Sequence, residues 1–224
     1  MKNNTYSKNL ASLVTAFLTE DDWHFSFDER RGLFKFVVGM KGKLKKLNYI
    51  VDVKQDEFVV YAISPIGADA DDECTMSRMA DFVCRANYGL ENGNFELDMR
   101  DGEIRYKCFV DCDGINPSTE MIKTSIYCPA AMFEKYGEGI VGIIMNDDTA
   151  KEAISKCEKS PIEELRDLLG DEATSDDDME TMLARLAAKF GADEELSATD
   201  THAENTETHP KVTTNLFASE GGAA

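Results

Sequence analysis

The stretch from Phe109 to Glu120 comes nearest to a calcium loop. Asp111, Asp113, Gly114 and Glu120 fall at its third, fifth, sixth and twelfth positions. Calcium takes about six to eight oxygens, and such a loop delivers the first from a carboxylate at its first position. That position is Phe109, and the ninth is Pro117. Without the first carboxylate the stretch reads as a strand end, an Asp-Gly turn and a helix start.

Thiols are the next candidates. Cys108 and Cys112 are four residues apart, so on a strand they share a face. With Cys84 or Cys128 they could in principle surround a tetrahedral zinc ion. Zinc sites favour closely spaced ligand pairs, which are missing here, and His202 and His209 lie near the C-terminus. The six cysteines, with Cys74 and Cys157, read instead as buried free thiols of a reducing compartment. His24 follows the only tryptophan, Trp23, and no motif ties it to a nucleophile. Gly137-Glu138-Gly139 lacks the lysine of a phosphate loop and marks a kink or a close helix contact. Lys41, Lys43, Lys45 and Lys46 could meet an acidic partner, but such runs are more often a solvated hairpin that protects a sheet edge. No metal, cofactor or catalytic residue is therefore expected. An enzyme would have to rely on a carboxylate pair that leaves no trace in sequence.

The composition narrows the partners. The chain has 224 residues, a net charge of −19 and 42% hydrophobic residues, enough for a substantial core. The charge opposes binding to nucleic acid and to anionic membranes. Residues 160–224 hold 16 acidic and 4 basic residues, a net of −12, which leaves −7 for residues 1–159. No apolar run approaches the roughly 20 residues that span a bilayer, and no signal-peptide pattern precedes the first amphipathic segment. The expected compartment is the cytoplasm.

The elements follow from periodicity. Leu10, Leu13, Val14, Phe17 and Leu18 mark one face of a helix. Alternating sets follow at 24–28, at Phe34, Phe36 and Val38, and at Tyr49, Val51 and Val53, and Phe58–Ile63 is apolar on both faces. Met76, Met79, Ala80, Val83 and Ala86 predict a second helix. Phe95, Leu97 and Met99 face one way on a strand, and Asp101-Gly102 predicts a two-residue hairpin into Ile104–Val110. Pro117–Glu120 opens a helical region. Pro129 is expected to start a new helix running towards Met145, and Asp147-Asp148 to cap the next. The order is helix, four strands, helix, two strands, then helices. This predicts an α+β core over residues 1–159, an antiparallel sheet of about six strands with helices packed on it. Residues 160–224 are expected to be an acidic tail with short amphipathic helices, mostly disordered after 196.

Arg85-Ala86-Asn87-Tyr88, Gly93-Asn94-Phe95-Glu96-Leu97-Asp98 and Asp101-Gly102-Glu103-Ile104-Arg105-Tyr106 resemble the YbjN family of bacterial sensory transduction regulators. So do Met132-Phe133-Glu134-Lys135-Tyr136 and Asp148-Thr149-Ala150-Lys151-Glu152-Ala153-Ile154. In that family a helix ending in Asn precedes a G-x-F strand, and a late helix carries A-I. The resemblance covers roughly residues 5–158. It implies a fold similar to type III secretion chaperones, small acidic proteins that often dimerise. It implies partner binding or regulation and brings no catalytic residues.

The expected function is a non-enzymatic, chaperone-like protein-binding or regulatory module in signalling or secretion. The alternatives are a carboxylate-based enzyme and a structural assembly component. A homodimer is expected, with Phe34, Phe36, Val59, Tyr61 and Ile63 as candidates for its shared surface. Met179, Met182, Leu183, Leu186 and Phe190 have the anchor spacing of a helix that lies in a partner's groove.

Overall fold

The computed structural model describes residues 6–159, 162, 163, 166, 169 and 179–190. These fall into two compact units, one up to Cys157 and one beginning at Glu158. The first unit carries α1 (Lys8–Glu20), β1 (Ser26–Asp28), β2 (Leu33–Gly39), β3 (Lys46–Val53), β4 (Glu57–Ile63), α2 (Glu73–Asn87), β5 (Asn94–Leu97), β6 (Ile104–Asp111) and α3 (Thr119–Asn146), then α4 (Ala150–Glu158). The second carries α5 (Met179–Phe190). The expected disorder after 196 lies outside the described residues. Among those residues, no helix is long and apolar enough to cross a membrane.

The six strands form one antiparallel sheet in the order β1-β2-β3-β4-β6-β5, in the expected α+β class. Alternation decides its faces. Phe34, Val51, Val60 and Cys108 stand in register on one face, as do Phe36, Tyr49, Ala62, Tyr106 and Phe95. All nine are buried in one core with Val14, Met79, Phe82, Phe133 and Ile140 from α1, α2 and α3.

Four local expectations differ from the structure. Pro129 does not start a helix; α3 runs through it for 28 residues. Proline offers no N–H and crowds the preceding turn. Here the buried Tyr49 hydroxyl donates to the Ile126 carbonyl at 3.1 Å, so the disturbed turn keeps a partner. The hairpin around Asp101-Gly102 is longer than two residues. Strand β5 stops at Leu97, Met99 is exposed, and Gly102 N–H bonds Asp98 O at 2.8 Å. Gly102 sits backbone to backbone against Ala68, where a Cβ would lie 1.9 Å from the Ala68 oxygen. The cap of α4 is Thr149 and not the aspartates. Its hydroxyl accepts from Glu152 N–H, while the Glu152 carboxylate accepts from Thr149 N–H at 2.9 Å, a reciprocal capping box. Asp147 instead ends α3 in the left-handed region, at φ 56°. Finally, Cys74 and Cys84 are exposed, whereas Cys108 and Cys112 are buried; all six thiols are free.

Candidate binding surface

Side chains that alternate with the core set point to the other side of the sheet. The buried hydrophobic side chains of α1 to α4 belong to the core on the first face. Three rows cross it in register. Val37, Asn48, Ile63, Arg105 and Glu96 form one, Lys35, Ile50, Tyr61, Lys107 and Asn94 the second, and Leu33, Asp52, Val59 and Phe109 the third. Seven of these residues are large and apolar. Leu33 and Val59 are buried by their neighbours, Ile50, Tyr61 and Ile63 are half-buried, and Val37 and Phe109 are 49% and 52% exposed.

The charges on this face are mixed. Lys35, Lys46, Arg105 and Lys107 stand with Asp52, Glu57, Glu96 and Asp111 in the paired strands, and Asp28 extends the third row through its pairing with Leu33. Glu96 accepts from Arg105 at 2.7 Å and from Lys107 at 2.5 Å, and Arg105 also lies over the Tyr61 ring, 4.6 Å from its centre. Burial works to raise the Glu96 pKa, but the bonds from Lys107 and Arg105 outweigh it and hold the carboxyl below its ordinary range.

The five strand residues expected on a shared surface thus separate. Val59, Tyr61 and Ile63 lie on the face opposite the helices of the first unit. Phe34 and Phe36 point into the helix-covered core at 0% and 6% exposure, because they occupy the other phase of the β2 alternation. Val37, Ile50 and Phe109 were missed. Only cross-strand register brings them to the same face, since Lys35 and Asn48 interrupt the apolar pattern in sequence. In α5, Met182 is buried while Met179 and Leu183 are 42% and 50% exposed. The side chains of Leu186 and Phe190 lie outside the described residues.

A second feature lies at the β6 edge. A cavity of about 330 Å³ is lined by Asn92, Val110, Glu120, Met121, Thr124 and Ser125. Asn92 O accepts from Tyr106 Oη at 2.7 Å, from Cys128 Sγ at 3.4 Å and from Cys108 Sγ at 3.9 Å. Three donors thus compete for one carbonyl. With its one hydrogen turned to the Cys128 sulfur instead, Cys108 draws Cys128 down to about 7 against its partial burial, and Tyr106 acts in the same direction. That same bond, together with burial, pushes Cys108 well up.

The residues that carried the family resemblance have architectural tasks. Asn87 Oδ1 accepts from Phe95 N–H at 2.7 Å and Asn87 Nδ2 donates to Phe95 O at 2.9 Å, so one amide satisfies both backbone groups of a strand residue. Gly93 has φ +86°, and a Cβ there would lie 2.5 Å from Lys107 O, so the turn into β5 requires glycine. Glu134 accepts from the backbone N–H groups of Lys41 and Gly42. It pins the lysine loop, whose Leu44 is buried while Lys41, Lys43, Lys45 and Lys46 point outward. Gly139 lets α3 approach α2, since a Cβ would meet the Phe82 ring at 2.5 Å. In the calcium-like stretch, Asp111 accepts from Asp113 N–H and Ser118 caps α3. Among the described residues, no group of three His, Cys, Asp or Glu side chains could hold a metal ion. No family model matches the chain, and no curated protein matches it.

Proposed function

We propose that this chain is a non-catalytic protein-binding module of the cytoplasm, and that it dimerises through the face of its sheet opposite the helices of the first unit. The observation that carries this reading is that face: seven large apolar side chains in three registered rows, with no helix of the first unit over them. Packing one sheet on another sets the layers about 10 Å apart and interdigitates such rows. Burying a large apolar side chain contributes about 1.5–3 kcal/mol, so several of the seven can offset an association cost of about 4–15 kcal/mol.

Charge selects the occupant. The chain carries −19 overall, which discourages self-association. The face opposite the helices of the first unit instead presents Lys35, Lys46, Arg105 and Lys107 against Asp28, Asp52, Glu57, Glu96 and Asp111. A second copy meets a nearly balanced patch there, with far less repulsion than the whole chain's charge would give. The resemblance to YbjN supports the same reading and points to a regulatory or chaperone-like role.

Light scattering at tens of micromolar tests it. The expected mass is twice 24.9 kDa. The double variant Val37→Lys/Ile50→Lys, placed on β2 and β3, is expected to give the single-chain mass with its melting transition retained. A single-chain mass for the unaltered protein would overturn the reading.

A further inference from the structure

Strand β5 has four residues and β6 has eight. Their ladder ends at Asn94 opposite Lys107, while β6 continues to Asp111, paired among the described residues only with β4. The direction of the unpaired groups follows from their neighbours. Ile104 O accepts from Ser64 and Cys112 N–H donates to Asp56, both on the β4 side, while Glu103 O accepts from Asp98 on the β5 side. Backbone groups alternate along an antiparallel strand, so those of Phe109 and Asp111 point to the side where β5 has ended. The edge is therefore open over the last part of β6.

The cavity at Asn92 lies along this open edge. Val110, its neighbour from the strand, projects to the helix side, and Glu120, Met121, Thr124 and Ser125 come from the first turns of α3. A strand laid beside β6 would pair with Phe109 and Asp111, and its alternate side chains would fall next to Val110. The volume of about 330 Å³ suits one or two side chains.

Charge again selects the occupant. Glu120 is the one charged residue lining the cavity, and Asp111 lies on the edge strand beside it. A second copy paired edge to edge would bring Asp111 and Glu120 of both chains together. A basic segment would meet complementary charge. We propose that the open edge of β6 and the cavity beside it form a strand-addition site for an extended segment of a partner protein, with β-branched apolar residues flanked by lysine or arginine. This rests on the protein-binding reading above but uses a different surface from the dimer face.

The test uses the full chain and a fluorescent, lysine-flanked peptide of alternating valine and threonine, followed by anisotropy. Saturable binding is expected. The same peptide N-methylated on alternate residues cannot pair as a strand and is expected to bind at least about tenfold more weakly. Thr124→Trp, which fills the cavity from an exposed helix position, is expected to weaken binding by a similar factor. Bound peptide should also slow alkylation of Cys128, which bonds the cavity-lining Asn92. Failure of the unmodified peptide to bind would overturn the proposal. So would equal binding by the N-methylated peptide, which would indicate attraction by charge alone, or equal binding to Thr124→Trp. The Val37→Lys/Ile50→Lys variant separates the two surfaces. It is expected to bind the peptide as the unaltered chain does, and loss of binding there would assign the peptide to the dimer face.

Discussion

The two faces of one sheet teach how the same strands serve stability and recognition. The covered face is nearly all apolar and aromatic, with Phe34, Phe36, Tyr49, Phe95 and Tyr106 linked ring to ring or through α3. The opposite face alternates apolar residues with charges that pair across strands, as Glu96 does with Arg105 and Lys107. A wholly apolar outer face would aggregate, and a wholly charged one would bind nothing firmly. The mixed face has enough apolar surface for a partner and enough charge to orient it.

The sharpest way to break this contrast is to truncate one phenylalanine on each face. Phe34→Ala should destabilise the chain by about 3–5 kcal/mol, because it opens a cavity among fully buried neighbours. Phe109→Ala should cost under about 1 kcal/mol in a dilute, monomeric sample, because its ring is half exposed. Urea denaturation of both variants checks this, and equal losses would abolish the distinction between the faces.

A smaller effect concerns the joint between the layers. Asn87→Ala leaves Phe95 N–H without its side-chain partner, while Phe95 O keeps Asn94 Nδ2 at 3.1 Å, at a cost of about 1–3 kcal/mol. Hydrogen exchange at Phe95 N–H should accelerate in the variant, while amides of β3 and β4 keep their protection.

The smallest effect is the titration of Glu96 on the face opposite the core. Its folded pKa is depressed, so the stability it adds is fully present above the ordinary glutamate range and is lost as pH falls through the lower folded value. An NMR titration of the Glu96 carboxyl carbon should place its midpoint below that of an unfolded glutamate. In Lys107→Ala the midpoint should move upward.

Much of the fold was legible because burial imposes periodicity. The order of elements, the six antiparallel strands and the helix at Met179–Phe190 all follow from apolar spacing, which water enforces residue by residue. Turn residues told less. Asp101-Gly102 permits a two-residue hairpin, but the approach of Gly102 to Ala68 decided on a longer one. Pro129 signals a helix start by its own chemistry, and the sequence does not show that a tyrosine from β3 bonds the turn before it in mid-helix.

By itself the sequence determined that a folded α+β unit precedes an acidic C-terminal region, since apolar spacing and charge are written directly in the residues. Tertiary structure decided which residues could meet a partner. Phe34 and Val37 are both large and apolar, three residues apart on the same strand, yet one supports the core and the other faces out. Strand alternation gives two faces, and nothing in a single strand says which of them the helices will cover. Likewise β5 and β6 look like a matched pair in sequence, and only their register shows that one ends early and leaves an edge open. Both properties arise from contacts between segments distant along the chain, where local periodicity carries no information.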